Sequence, residues 1–251
     1  MPGSLIYTGP SLLDDAPIFV AAVWASHPSL ANSKTGDLVQ TYIMRSDMEP
    51  MEASRRGKDY SVCGDCRHRG TPTYDDRGVA AKRSCYVQLG RGPAMVYSAW
   101  QRGNYHEALT PEARAGVGRG RVVRIGAYGD GAAVPAHVWT DLLSEAKGHT
   151  AYSHLHTAAN PMGLGRANSF DPALYMASVD SLPEAQAAWS SGYRTFRVVN
   201  SLRQMTANEI ECPAERVACD KCQLCNGQHP TAKSIAVVVH GSGKKHFGGK
   251  A

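Results

Sequence analysis

The sequence predicts an α/β protein, a partial parallel barrel or an open parallel sheet with helices, interrupted by cysteine-rich loops. Three observations lead there. From Val122 onward, short apolar runs alternate with helical segments across short loops, the pattern of βαβ units. Ser234-Ile-Ala-Val-Val-Val239 is a continuous run of the kind carried by a strand buried on both faces. The seven cysteines of the 251-residue chain fall into two sets, Cys63, Cys66 and Cys85 upstream, and Cys212, Cys219, Cys222 and Cys225 downstream.

The chain is read as a single domain over 1–251, with a strand region at 1–60, an upstream cysteine loop at 61–90, a second at 212–227 and a flexible tail at 241–251. Leu5–Tyr7, Pro17–Trp24 and Asp37–Met44 are apolar, branched or aromatic runs and are predicted as strands or apolar segments of this first region. Asn32-Ser-Lys-Thr-Gly36 is a turn; it lacks the upstream glycine of a Walker A loop. Pro93–Gly103 has helical spacing, with proline at its start, glycine at its end, and Met95, Val96, Tyr97 and Trp100 assigned to a packed face. Val122–Gly126 is a strand ending in the turn Ala127-Tyr-Gly-Asp-Gly131, and Ala136–Ala146 is an amphipathic helix. Strands follow at Thr150–His154, Ala173–Val179 and Tyr193–Val199, with a helix over Glu184–Ser190.

Composition narrows the function. With 43% hydrophobic and 20% charged residues the chain is ordinary for a soluble protein, and no apolar run suggests a membrane span. Met1-Pro-Gly-Ser lacks the basic start of a secretory leader, so a cytoplasmic location is expected (the host cytoplasm, if the protein is viral). In a reducing compartment clustered thiols point to metal or redox chemistry rather than disulfides. The net charge of +5 is mild; its clusters, at Arg55, Arg56 and Lys58, at Arg67 and Arg69, at Arg119 and Arg121, and at Lys244 and Lys245, admit nucleic acid as a partner but fit a solvated face better. No nucleophile elbow, H-E-x-x-H or G-x-G-x-x-G is present, which counts against hydrolase, zincin and dinucleotide-binding assignments.

The downstream run C-x6-C-x2-C-x2-C sets successive sulfurs around one point and suits a [4Fe-4S] cluster, with four-thiolate zinc as the alternative. The upstream C-x2-C is joined by Cys85 after eighteen intervening residues. Three thiols without a fourth would leave an iron of a second cluster open to chemistry. A histidine immediately beyond a C-x2-C is poorly placed to fold back on it, so His68 is not expected to complete the set. A parallel sheet puts its functional loops at the C-terminal ends of its strands. That rule selects Gly126, Tyr128, Gly129 and Asp130, then His154 with His156, then Ser178 and Asp180. Tyr128, Asp130 and His154 are the candidate catalytic or substrate-contacting groups; Gly126, Gly129, Ser178 and Asp180 are candidate cofactor contacts.

Several of these stretches, Asn32–Gly36, Cys63-Gly-Asp-Cys66, Cys85-Tyr86, Ile125–Asp130, Leu174–Val179 and the last cysteine loop, resemble a family of uncharacterised bacteriophage proteins over about Gly9 to His240. More faintly, an early cysteine trio followed by Gly126-Ala-Tyr-Gly-Asp130 and a late four-cysteine loop is similar to radical S-adenosylmethionine enzymes. Their compact C-x3-C-x2-C differs from the intervals found here. That resemblance implies a partial barrel, S-adenosylmethionine beside the trio, and a small-molecule or macromolecular substrate. A metal-stapled module that binds nucleic acid or a host protein is the alternative function.

Overall fold

Burial explains which strands lie at the centre. Every residue from Ile18 to Val23 is inaccessible to solvent, whereas the only paired residues of the outermost strand, His106 and Glu107, are exposed. The computed structural model describes residues 2–156, 169–228 and 232–248. In chain order its strands are β1 (Gly3–Pro10), β2 (Pro17–Val23), β3 (Val39–Arg45), β4 (His106–Glu107), β5 (Val122–Tyr128), β6 (Gly148–Thr150), β7 (Tyr152–Ser153), β8 (Met176–Val179), β9 (Thr195–Val199), β10 (Glu209–Glu211) and β11 (Ser234–Val238). The helices are α1 (Pro50–Arg55), α2 (Tyr60–Cys63), α3 (Gly92–Gln101), α4 (Pro111–Gly118), α5 (Ala136–Leu143), α6 (Leu182–Ser190) and α7 (Cys219–Cys222).

A mixed six-stranded sheet has the order β4-β1-β2-β3-β5-β6, and a parallel five-stranded sheet the order β10-β11-β9-β8-β7. The α/β class and the open parallel sheet with helices are thus as the sequence predicts. Strands β1, β2 and β3 pair antiparallel, an arrangement that alternation alone does not distinguish; β3 then pairs in parallel with β5. Ala151 alone separates β6 from β7. Its N–H goes to the carbonyl of Cys225 at 2.6 Å, so the second cysteine loop interrupts the ladder there. The expected strand at Thr150–His154 is therefore split between the two sheets.

The main core joins β1, β2, β3 and β5 to α3 and α5, with Trp139, Leu142 and Val138 of α5 fully buried. Helix α5 follows a Val-Pro pair and its Trp139 Nε1 donates to the Gly131 carbonyl at 2.9 Å, tying the helix to the turn after β5. Helix α3 buries Val96 and Tyr97 as expected, but Met95 is 62% exposed and does not share their face. The apolar arc that faces the core runs through Val96, Tyr97 and Trp100, and Met95 falls outside it. Helix α4 was not anticipated, although Thr110 caps it through the N–H of Ala113 and proline opens it. In the tail, Ser242–His246 form a 3-10 turn and Phe247 stacks on His68, so residues 241–248 lie folded over the upstream cysteine loop; 249–251 lie outside the described residues.

Candidate functional site

The parallel strands end on one common edge, and the upstream cysteine loop is folded onto it. Cys63 closes α2, whose N-terminal side carries Asp59 and Arg69 as a buried pair at 2.7 Å. Gly129 is wedged between β3 and the same helix: a Cβ there would lie 2.7 Å from Ile43 Cβ, 2.8 Å from the Ile43 carbonyl and 3.3 Å from the Val62 carbonyl, and its φ is +81°. Only glycine fits that backbone. The next N–H, of Asp130, donates to the Val62 carbonyl at 2.6 Å. The turn after β5 is thus clamped directly to the cysteine helix.

Each sequence-selected side chain has a definite place. Asp130 is buried; its Oδ1 accepts from the N–H of Ala132 at 3.0 Å and its Oδ2 from the N–H of His154 at 2.9 Å. Both oxygens are engaged by backbone, so Asp130 positions His154. Burial raises its carboxyl above the usual range against the donors that surround it. Tyr128 is buried beside Cys63 and Asp59, and desolvation keeps its phenol protonated. Gly126 and Gly129 form the turn at the end of β5, where a Cβ on Gly126 would meet the Gly129 carbonyl at 2.6 Å. His156 turns away from the edge to the Ser178 carbonyl, 3.0 Å from its Nε2.

His154 and Asp180 do come together. His154 Nε2 lies 3.5 Å from Asp180 Oδ2, 3.3 Å from Ser178 Oγ and 3.9 Å from Cys66 Sγ. His68 joins them, its Nε2 2.7 Å from Asp180 Oδ1, and Arg67 flanks Asp180 at 3.3 Å. Burial would raise the Asp180 carboxyl, but the two imidazoles beside it hold it far below the carboxylate range. For His154, burial favours the neutral ring, yet Cys66 and Asp180 outweigh it and raise its pKa well above the usual value. The set is not a Cys-His-Asp triad. A relay of that kind needs the thiol and the carboxylate on different ring nitrogens, and here both face Nε2.

The seven cysteines are free, and each set gathers. Burial raises the Cys63 thiol, with further contributions from Asp59, Cys66 and Cys85; burial likewise raises Cys85, with Cys66 adding to it. In the downstream loop burial raises Cys225, and Cys212, Cys219 and Cys222 push it further. Thiols kept neutral by desolvation and mutual repulsion ionise readily once a cation lies among them. Among the described residues, the one group of three or more His, Cys, Asp or Glu ligand atoms mutually within 4.8 Å is His68, His154 and Asp180.

From Cys219 to Gly227 the downstream loop lies across the opposite, N-terminal ends of the strands, while Cys212 follows directly on β10. The N–H groups of Cys219 and Asp220 donate to the carbonyls of Lys34 and Thr35 at 3.1 and 3.0 Å, just before β3. Arg194, just before β9, donates to the Asn226 carbonyl at 2.7 Å, and the N–H of Gly227 reaches Leu174 before β8. Between the two cysteine sets, on the face of β5 opposite Val123 and Ile125, Arg124 donates to the hydroxyls of Tyr86 and Tyr152, the latter at 3.1 Å. The Tyr86 and Tyr152 hydroxyls are themselves 3.1 Å apart. Tyr86 adjoins Cys85, while Arg124 and Tyr152 are within electrostatic reach of Cys219 and Cys225 respectively. From sequence His68 is set aside as a thiol-site ligand, and neither Phe247 nor this cluster is singled out; their partners are too distant along the chain to leave a local pattern.

Several arginines of the basic clusters have partners within the chain. Arg56 pairs with Glu52, Arg69 with Asp59, Arg67 with Asp180 and Glu184, and Arg119 with Glu145, while Arg121 lies over the Trp24 ring. No described helix is long and apolar enough to cross a membrane. In comparison with known proteins, no family model matches the chain, and no curated protein and no solved structure matches it significantly.

Proposed function

We propose that this chain is an iron–sulfur protein acting in redox or radical chemistry at the C-terminal edge of its parallel strands. Cys212, Cys219, Cys222 and Cys225 would hold one [4Fe-4S] cluster with all irons ligated. Cys63, Cys66 and Cys85 would hold a second with one iron free to take an outside ligand, S-adenosylmethionine being the candidate. The observation that carries this reading is the spacing of the thiols along the chain, C-x6-C-x2-C-x2-C downstream, with all seven cysteines free and the downstream four within electrostatic reach of one another.

When bound, such a cluster supplies a one-electron couple and, at the trio, an iron that can accept a ligand. The protein's part is placement. Gly129 and Asp130 fix the cysteine helix against β5, and Asp130 fixes the backbone of His154. The folded tail places Phe247 over His68 and limits water on that side. A nucleic-acid module is less well supported, because Arg56, Arg69 and Arg119 of the basic clusters each already face a carboxylate.

Anaerobic purification with iron, acid-labile sulfide and zinc quantification tests this. Roughly eight irons and as many sulfides per chain are expected for two cubanes. Cys63→Ser with Cys66→Ser should remove about half of both, and Cys222→Ser with Cys225→Ser the other half. Zinc without sulfide would overturn the reading.

A further inference from the structure

Outside the thiols, one group of side chains converges as ligands do. His68, His154 and Asp180 come from three separate loops, yet one ligand atom of each lies within 4.8 Å of the others. All three side chains are at least three-quarters buried, with exposures of 11%, 22% and 7%. Both imidazoles present the same nitrogen, Nε2, to the carboxylate. His68 is oriented from behind: its Nδ1 lies 2.8 Å from Ser84 Oγ, so a hydrogen bond there leaves the Nε2 lone pair facing Asp180. That arrangement of a ligating ring nitrogen with a partner on the other is the usual outer shell of a metal-bound histidine. His154 is oriented by its backbone bond to Asp130, and Asp180 by Glu184 Oε2, which accepts from the Asp180 N–H at 2.7 Å.

We infer that His68, His154 and Asp180 form a mononuclear site for a divalent first-row transition ion, ferrous iron or zinc. Two imidazoles and one carboxylate are the ligand set such ions accept with coordination positions to spare. Ser178 Oγ, 3.3 Å from His154 Nε2, and Cys66 Sγ, 3.9 Å from it, stand beside those positions. Arg67, 3.3 Å from Asp180 Oδ2, is the competing cation, and as the most exposed member of the group it is free to withdraw to Glu184. The site adjoins the trio but does not depend on it: its three ligands are nitrogen and oxygen, and it stands whether or not the thiols carry a cluster.

Cobalt(II) is the probe. Added to the full chain after metal removal, cobalt at this site gives weak ligand-field bands, whereas cobalt on the thiols gives intense sulfur-to-metal charge transfer. Wild type is expected to show a thiolate-free cobalt equivalent that Asp180→Asn lacks. Ser84→Ala removes only the hydrogen bond behind His68 and should weaken that equivalent about 10- to 100-fold. Should Asp180→Asn fail to fold, judged by circular dichroism, Ser84→Ala decides alone. Cobalt binding unchanged in Ser84→Ala, or a wild type that binds cobalt through thiolates only, would overturn the site and leave the three residues as an ion-pair network. Acid-labile sulfide, measured on the same preparations, reports on the cluster separately.

Discussion

Arg197 and Glu209 meet through two hydrogen bonds of 2.7 Å, with side chains 5% and 0% exposed. Arg197 also donates to the Gln204 carbonyl, and Glu209 accepts from the N–H of Thr206 at 3.0 Å. Burial would raise the Glu209 carboxyl, but the Arg197 and Thr206 donors outweigh it and hold the pKa below the usual value. The resulting stability is present in full above the unfolded carboxylate pKa of about 4.3 and is lost as pH falls through the lower folded value. Glu209→Leu should cost about 3–5 kcal/mol by stranding Arg197, and Arg197→Met with Glu209→Leu should recover most of that, both read by urea unfolding. At the turn after β5, Gly129→Ala should destabilise by about 1–3 kcal/mol, since it adds backbone strain to a clash with Ile43. The sequence made Gly129 visible as a turn glycine. It did not show that Asp130 spends its carboxylate on backbone, because that depends on where His154 arrives.

Among the elements, the turn at 32–36 shows how far local pattern reaches. Its residues announce a turn, and Asn32 Oδ1 does accept from the N–H groups of Lys34 and Thr35 at 2.9 and 3.2 Å. Its use as a clasp on α7 was not legible, since Asp37 and Asp220 are 183 residues apart. Asn32→Ala leaves the Lys34 and Thr35 N–H groups without that acceptor and loosens the segment whose carbonyls hold Cys219 and Asp220, so bound metal should pass to a chelator faster than from wild type, while unfolding free energy falls by about 1 kcal/mol. Strands β8, β9 and β11 and helices α5 and α6 were visible through period and punctuation. Helices α1, α2 and α7 span six, four and four residues, too few for a helical period to register. Short strand β10 is equally silent, and it borrows its partner from β11.

Over the whole molecule, the upstream cysteines and the loop from Cys219 to Cys225 sit at opposite ends of the parallel strands, joined through Tyr86, Arg124 and Tyr152. Their separation in sequence left open whether they make one site or two. Arg124→Met would leave two tyrosine hydroxyls with one partner fewer, and a loss of about 2–3 kcal/mol is expected in urea unfolding. Because Tyr86 follows Cys85, the same substitution should also loosen the upstream thiols, measured as faster alkylation of Cys85 in the metal-free chain.

The tail that folds back over His68 has a consequence for synthesis. The ribosome delivers Cys63, Cys66 and Cys85 first, and His154, Asp180 and finally Phe247 only later. At ordinary elongation rates that interval is roughly ten seconds or more. During it the three thiols are reactive and unwalled, open to oxidants and to stray copper or zinc. Correct loading therefore waits until Phe247 has been made and folded back, and a nascent chain arrested before the last strand offers its first cysteines to whatever soft metal arrives.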